Sequence, residues 1–193
     1  MNLITTLKWI AALAVLALII RSMAVFVFEV ENSFMEPGLK SNQIVMGSRW
    51  SYGVRFPWTD SVKLEALQKK SPPQVNDLVA IEFKHQPGLI FLKRIVAVPG
   101  DRVKVTNGSL EVNGQVCMYS SKADGTSVEN CINGERQATK FKDQINGEAP
   151  YDERSLVDGE YMVLYDNREF EEDMILYGIV KFPQIIGKVF WRF

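Results

Sequence analysis

Lys93 stands inside the apolar stretch Leu89-Ile-Phe-Leu-Lys-Arg-Ile-Val-Ala-Val98. A buried ammonium is costly, so a lysine in such a strand needs a reason. Pressed into an apolar wall, it loses its proton near neutral pH and becomes a general base. It could also simply point to solvent beside Arg94, and spacing alone leaves both readings open. Two other stretches carry side chains fit for chemistry. Arg21 to Leu39 contains Asn32-Ser33-Phe34-Met35-Glu36-Pro37, and Val157 to Glu169 contains Tyr165-Asp166-Asn167-Arg168, running on to Asp173 and Tyr177-Gly-Ile-Val180. The single histidine, His85, falls in the polar turn His85-Gln-Pro-Gly88 and reads as solvated. Two cysteines and one histidine cannot close a four-ligand zinc site; no other metal and no cofactor is expected.

The elements that must hold these residues are mostly strands. Ile44–Met46, Asp77–Phe83, Leu89–Val98, Glu160–Tyr165 and Lys188–Phe193 are short apolar or alternating runs bounded by Gly, Pro and Asn. Val103–Val105 and Leu110–Val112 alternate strictly and meet across Asn107-Gly108, a type I′ hairpin signature; Asn113-Gly114 offers a second such turn. Val62–Lys70 alone has helical character, and residues 118–150 are polar and aperiodic. The expected class is mainly β, a barrel-like or sandwich body with an inserted loop-rich subdomain over about 115–150. Cys117 and Cys131 bracket the start of that insertion; in an oxidising compartment they read as a disulfide holding a segment with little core, otherwise as two buried thiols.

The chain opens differently. Residues 1–28 hold no Asp or Glu and only Lys8 and Arg21 as basic residues. A bilayer span needs ~20 mostly apolar residues, and about 17 suffice. Leu3–Ile20 meets that, with Lys8 near one interface. Ser22-Met-Ala24 makes a poor signal-peptide cleavage site, being followed at once by more apolar sequence. Residues 1–22 are therefore read as one uncleaved transmembrane helix, and 23–193 as the body beyond it. Met23–Phe28 reads as a strand leaving the membrane. Lys8 on one side and Glu29 and Glu31 on the other predict a cytoplasmic N-terminus and an extracytoplasmic body. The net charge of −1 offers no basic face for nucleic acid. Trp50, Tyr52, Phe56, Pro57 and Trp58 form an aromatic cluster that suits either core or a bilayer interface.

Lys93-Arg-x-x-x-x-Pro-Gly-Asp101, taken in order with the anchor, the Met35/Pro37 box and Asp166-Asn167-Arg168, resembles bacterial signal peptidase I, the membrane-anchored Ser/Lys proteases that trim signal peptides from exported proteins. Asn76-Asp77 resembles that family's Gly-Asp turn, Asn being able to take the positive φ such a turn demands. The resemblance implies a signal-peptidase-type β body and a hydroxyl nucleophile activated by an unprotonated lysine. Lys93 falls on the general base. Asp166, Asn167, Arg168 and Asp173 fall on supporting positions, and Asn32 on the oxyanion-hole position. Phe34, Met35 and Tyr165 fall in the substrate groove. Implied partners are signal peptides of exported preproteins, the lipid bilayer and a component of the secretion machinery. The implied location is the bacterial inner membrane, single-pass, with the body periplasmic.

The nucleophile box departs from the pattern. The family reads Ser-x-Ser-Met-x-Pro with the second Ser catalytic; here that register places Phe34 on the nucleophile. Tyr165 replaces a Gly, and Met174-Ile175 replace a Ser-Arg pair. Two activities follow. One is a signal-peptide endopeptidase that uses Ser33, re-aimed by a bulge, as a displaced nucleophile with Lys93, Asn32 or Ser48 serving the oxyanion. The other is a catalytically silent relative that binds exported polypeptides or a partner through the same groove.

Overall fold

The computed structural model describes residues 3–53, 71–83, 86–106, 109–123, 127–138, 153–167 and 178–192. Helix α1, Leu3–Ala24, leads straight into strand β1, Val25–Glu29. Its 22 residues extend for roughly 33 Å at 1.5 Å per residue. Leu7, Trp9, Ile10, Leu13, Val15 and Leu16 are all exposed on it. The helix runs past the expected end at 22, so the expected strand start at Met23 moves to Val25. The side chains described in α1 are those of residues 5–17 and 24, and among the described residues no helix is long and apolar enough to cross a membrane. The expected transmembrane anchor is thus present as a helix but is not established as a span.

Among the described residues the body's strands all pair antiparallel. The remaining strands are β2 (Ile44–Ser48), β3 (Leu78–Glu82), β4 (Ile90–Ala97), β5 (Arg102–Thr106), β6 (Ser109–Val112), β7 (Gln115–Val116), β8 (Met118–Ser121), β9 (Ser127–Cys131), β10 (Gly134–Gln137), β11 (Arg154–Ser155), β12 (Glu160–Leu164), β13 (Ile179–Lys181) and β14 (Ile185–Arg192). The main sheet has seven strands in the order β1-β2-β14-β3-β4-β12-β13. A four-stranded sheet, β11-β5-β6-β7, and a three-stranded one, β10-β9-β8, complete it. Register breaks in β14 and β12 bend the main sheet. Its residues feed two apolar clusters. Phe26, Met35, Leu39, Val45, Leu92 and Tyr165 belong to one. Val79, Ile81, Phe83, Ile95, Tyr161 and Val163 belong to the other.

Turn chemistry explains several joints. Asn113 and Gly114 both have positive φ, 54° and 81°, as a type I′ turn between β6 and β7 requires. Thr106 and Ser109 pair, closing the β5–β6 hairpin around Asn107-Gly108, which lie outside the described residues. Asn76 has φ 73° just before β3, the conformation expected of it.

In the region of the expected inserted loop or subdomain the described residues form hairpins, and β8, β9 and β10 make their own three-stranded sheet. Their polar sequence hid them, because the sheet is held less by apolar alternation than by two covalent and ionic ties. Cys117 and Cys131 form a disulfide, with Cα atoms 4.4 Å apart. Glu129 and Arg136, both buried, form an ion pair at 3.0 Å. Residues 139–150 of the insertion, the Val62–Lys70 helix, His85, and Phe56, Pro57 and Trp58 of the aromatic cluster lie outside the described residues. Of that cluster, Tyr52 is core and donates its hydroxyl to Asp77 at 2.7 Å.

Candidate active site

Strand alternation fixes where Lys93 and Arg94 go. On β4 they point to opposite faces. Lys93 turns inward and is 1% exposed. Its Nζ lies 4.6 Å from the Tyr165 ring centre and 5.9 Å from that of Phe83. Burial removes water from the ammonium and lowers its pKa from 10.5 to about 7. Lys93 is thus an amine able to hold or release a proton at neutral pH, walled by aromatic rings.

Arg94 turns the other way, onto a carboxylate. Nε and one terminal nitrogen meet Asp166 Oδ1 and Oδ2 at 2.7 and 2.6 Å, the bidentate geometry that makes such pairs strong. A further nitrogen donates to the Asn76 carbonyl at 3.0 Å. Gly38 lies against this pair: a Cβ there would come within 2.0 Å of Asp166 Oδ2. Sequence reasoning missed Gly38; its place directly after Pro37, where β-carbon room is at stake, was the available signal.

The Asn32–Pro37 box folds into a 3₁₀ turn, Ser33–Met35. Asn32 caps it, its Oδ1 accepting from the Phe34 amide at 3.2 Å. Asn167 clamps the turn from across the molecule. Its amide donates to the Phe34 carbonyl at 2.9 Å and its Nδ2 to the Ser33 carbonyl at 3.3 Å. Ser33 therefore makes its hydrogen bonds through its backbone carbonyl, accepting also from Glu36 N at 3.1 Å. Met35 is buried in the core. Phe34 packs its ring on Tyr165, centroids 5.2 Å apart and planes tilted by 54°. Ser48 Oγ accepts from the Trp50 amide at 3.2 Å.

Asp166, Asn167, Phe34, Tyr165 and Lys93 are thus linked through shared partners, while Arg168 and Asp173 lie outside the described residues. The hydroxyl expected to meet Lys93 is joined to it by no hydrogen bond; the aromatic pair Phe34–Tyr165 lies on that side instead. Cys117, Glu129 and Cys131 are the one group of metal-ligand type among the described residues, and the two sulfurs are already bonded to each other.

Register carries one more relationship. Val25 pairs with Ser48, Ser48 with Lys188, Lys188 with Val79, and Val79 with Lys93. This row crosses β1, β2, β14, β3 and β4, roughly 19 Å at 4.8 Å per strand. Lys93 therefore shares one cross-strand row with Val25, the first residue after α1.

Fold and site together define a curled antiparallel β body with a buried lysine, Lys93, in its interior. The chain belongs to the signal peptidase family, peptidase S26, whose family model matches residues 3–193. It is 24% identical over 202 residues to signal peptidase I of Pseudomonas aeruginosa, covering 91% of this chain and 66% of that protein. It is 26% identical over 193 residues to signal peptidase IB of Staphylococcus aureus, covering 97% of this chain and 88% of that protein. The chain thus spans just under two thirds of the Pseudomonas relative's length. A crystal structure of a signal peptidase I from Enterococcus faecalis matches with a TM-score of 0.38 and 22% identity, over 61% of this chain and 97% of that one.

Proposed function

We propose that this protein binds the signal-peptide region of exported polypeptides in the family's groove and holds it without efficient hydrolysis. One observation carries the reading. Phe34, in the register of the family's nucleophile, packs on Tyr165 at 5.2 Å, and Tyr165 covers the Lys93 amine at 4.6 Å. The base is retained and the hydroxyl it would activate is replaced by an aromatic ring. In this reading α1 anchors the chain in the inner membrane with its N-terminus cytoplasmic. Support comes from Leu3–Ile20, which carries Lys8 as its one charge, and from the exposed apolar side chains of the helix. The row that joins Val25 to Lys93 supports a site near the end of the anchor, where a membrane-inserted signal peptide ends.

A second reading has its own support. The Lys93 pKa of about 7 suits a general base, and Ser33 is one residue from the nucleophile register and half-buried. In that reading Ser33 moves onto Lys93 when substrate binds and the protein is a slow signal peptidase.

Full-length protein in non-ionic detergent, mixed with a signal-peptide-bearing preprotein, separates the two. Saturable binding with no cleaved product, and product appearing on Phe34→Ser, is the expected result. Turnover by the wild type that vanishes in Ser33→Ala and Lys93→Ala overturns it in favour of the displaced nucleophile.

A further inference from the structure

A cleft of about 300 Å³ opens where the end of β14, past Lys188, runs beyond the start of β3 and alongside Arg94 of β4. Arg94, Lys188 and Arg192 line it, with Asp77 as its carboxylate. Two of these cations are matched: Arg94 by Asp166 and Lys188 by Asp77. Arg192 is not. It donates to the uncharged Gly38 carbonyl at 2.6 Å and among the described residues forms no ion pair. A guanidinium has five N–H donors and an ammonium three, so Arg192 and Lys188 keep donors for a guest. The surplus is local, since the whole chain carries −1.

The rim is unlike the floor. Phe190 and Trp191, neighbours of Arg192 on β14, are 54% and 56% exposed. A basic floor under an exposed aromatic edge suits a ligand that is anionic at one end and apolar at the other. Lys188 belongs to the register row that begins at Val25, so the cleft shares a cross-strand row with the residue that follows α1.

We propose that this cleft is a phosphate-binding site for the headgroup of an anionic phospholipid. Arg192 holds the phosphate through its fork, Lys188 adds a second donor, and Phe190 and Trp191 lie against the glycerol and first acyl carbons. The choice of a lipid over free phosphate rests on the anchoring reading above; the phosphate chemistry does not.

The test uses the full chain in non-ionic detergent at low salt. Calorimetry reads binding of dihexanoylphosphatidylglycerol, dihexanoylphosphatidylcholine and inorganic phosphate. The expected result is one saturable site for the glycerol lipid, none for the choline lipid, and weak competition by phosphate. Arg192→Gln weakens the glycerol lipid by about tenfold or more, the effect of losing a charge-assisted pair. Because Arg192 is exposed, the variant keeps its fold, which an unchanged Tm verifies; Arg192→Lys recovers part of the affinity. Trp191→Ser weakens the lipid but not phosphate. Equal binding of both lipids, or an Arg192→Gln variant that binds like wild type, overturns the site. Phosphate competing as strongly as lipid, with Trp191→Ser silent, overturns the lipid assignment. Carbonate extraction from bilayers, run in parallel, reads anchoring by itself: an anchored chain that ignores phosphatidylglycerol sinks the cleft proposal alone, and a chain that binds the lipid but washes off sinks the anchor alone.

Discussion

Lys93 and Tyr165 meet face-on in the interior, the amine 4.6 Å from the ring centre. The contact decides what the lysine can be. A protonated amine gains something from the ring's electron-rich face, but at 1% exposure it loses nearly all of its water. Desolvation wins and brings the pKa to about 7. Tyr165 feels the same burial, which pushes its phenol up to about 12 and keeps it neutral beside the amine.

Stability should therefore depend on pH through Lys93. Its folded pKa, about 7, lies below its ordinary 10.5. Between those values the unfolded chain binds a proton that the folded chain does not, so stability rises with pH across the window. Below about 7 the full cost of a buried charge is present, on the order of 4–5 kcal/mol at 1.36 kcal/mol per unit. Lys93→Met cannot charge. Thermal unfolding of both proteins from pH 6 to 10 should find the variant more stable at pH 6, with the gap shrinking as pH climbs. A gap that stays constant would mean that Lys93 keeps its proton in the fold.

Asn167 should matter for order more than for stability. Its Nδ2 bonds the Ser33 carbonyl at 3.3 Å, while its amide bond to Phe34 survives any substitution except proline. Asn167→Ala should cost about 1 kcal/mol. Amide hydrogen exchange over residues 32–39 should quicken while β4 and β12 stay protected. Uniform protection in the variant would show the clamp to be redundant.

How much of this was legible beforehand depends on which physics the sequence writes down. Apolar runs and turn residues wrote down the strands: Ile90–Ala97, Leu78–Glu82 and the turn at Asn113-Gly114 lie within a residue or two of their expected places. Alternation sends Arg94 to the face opposite Lys93, toward solvent or a carboxylate, and the side chain meets Asp166. The three-stranded sheet at 118–137 was not legible. Its buried members include Glu129 and Arg136, whose burial depends on each other and on a partner strand, and no periodicity announces that. The path of Phe34 was half legible. Its register named it as the odd residue, but its seat against Tyr165 comes from a 3₁₀ turn that strand logic does not contain.

The Glu129–Arg136 pair gives a test of what holds that small sheet. Both side chains are essentially buried, and Tyr119 also donates to Glu129. Removing one partner leaves an uncompensated charge, so Arg136→Met should cost about 3–5 kcal/mol. Replacing both, Glu129→Leu with Arg136→Met, should recover most of that, since an apolar pair of similar volume carries no desolvation penalty. Denaturant unfolding of the single and double variants with the disulfide intact measures the difference. A double variant as unstable as the single one would mean that the pair's hydrogen bonds, not its charge balance, hold β8 to β10 together.

Gly38 offers the sharpest test of the Arg94–Asp166 clamp. An added Cβ would lie 2.0 Å from Asp166 Oδ2 and 3.0 Å from the Arg94 guanidinium, inside any tolerable contact. The carboxylate must move, and moving it undoes a bidentate pair that is 1% exposed on the aspartate side. Asp166 also precedes Asn167, so its shift reaches the clamp on Ser33 and Phe34. Gly38→Ala should thus cost about 2–4 kcal/mol, more than an ordinary surface glycine change. It should also raise exchange over residues 32–39 as Asn167→Ala does. Adding Asp166→Ala to Gly38→Ala removes the clash together with the Arg94–Asp166 pair. The double variant should then be no less stable than Asp166→Ala alone, whereas additive losses would place the alanine's cost somewhere other than this contact.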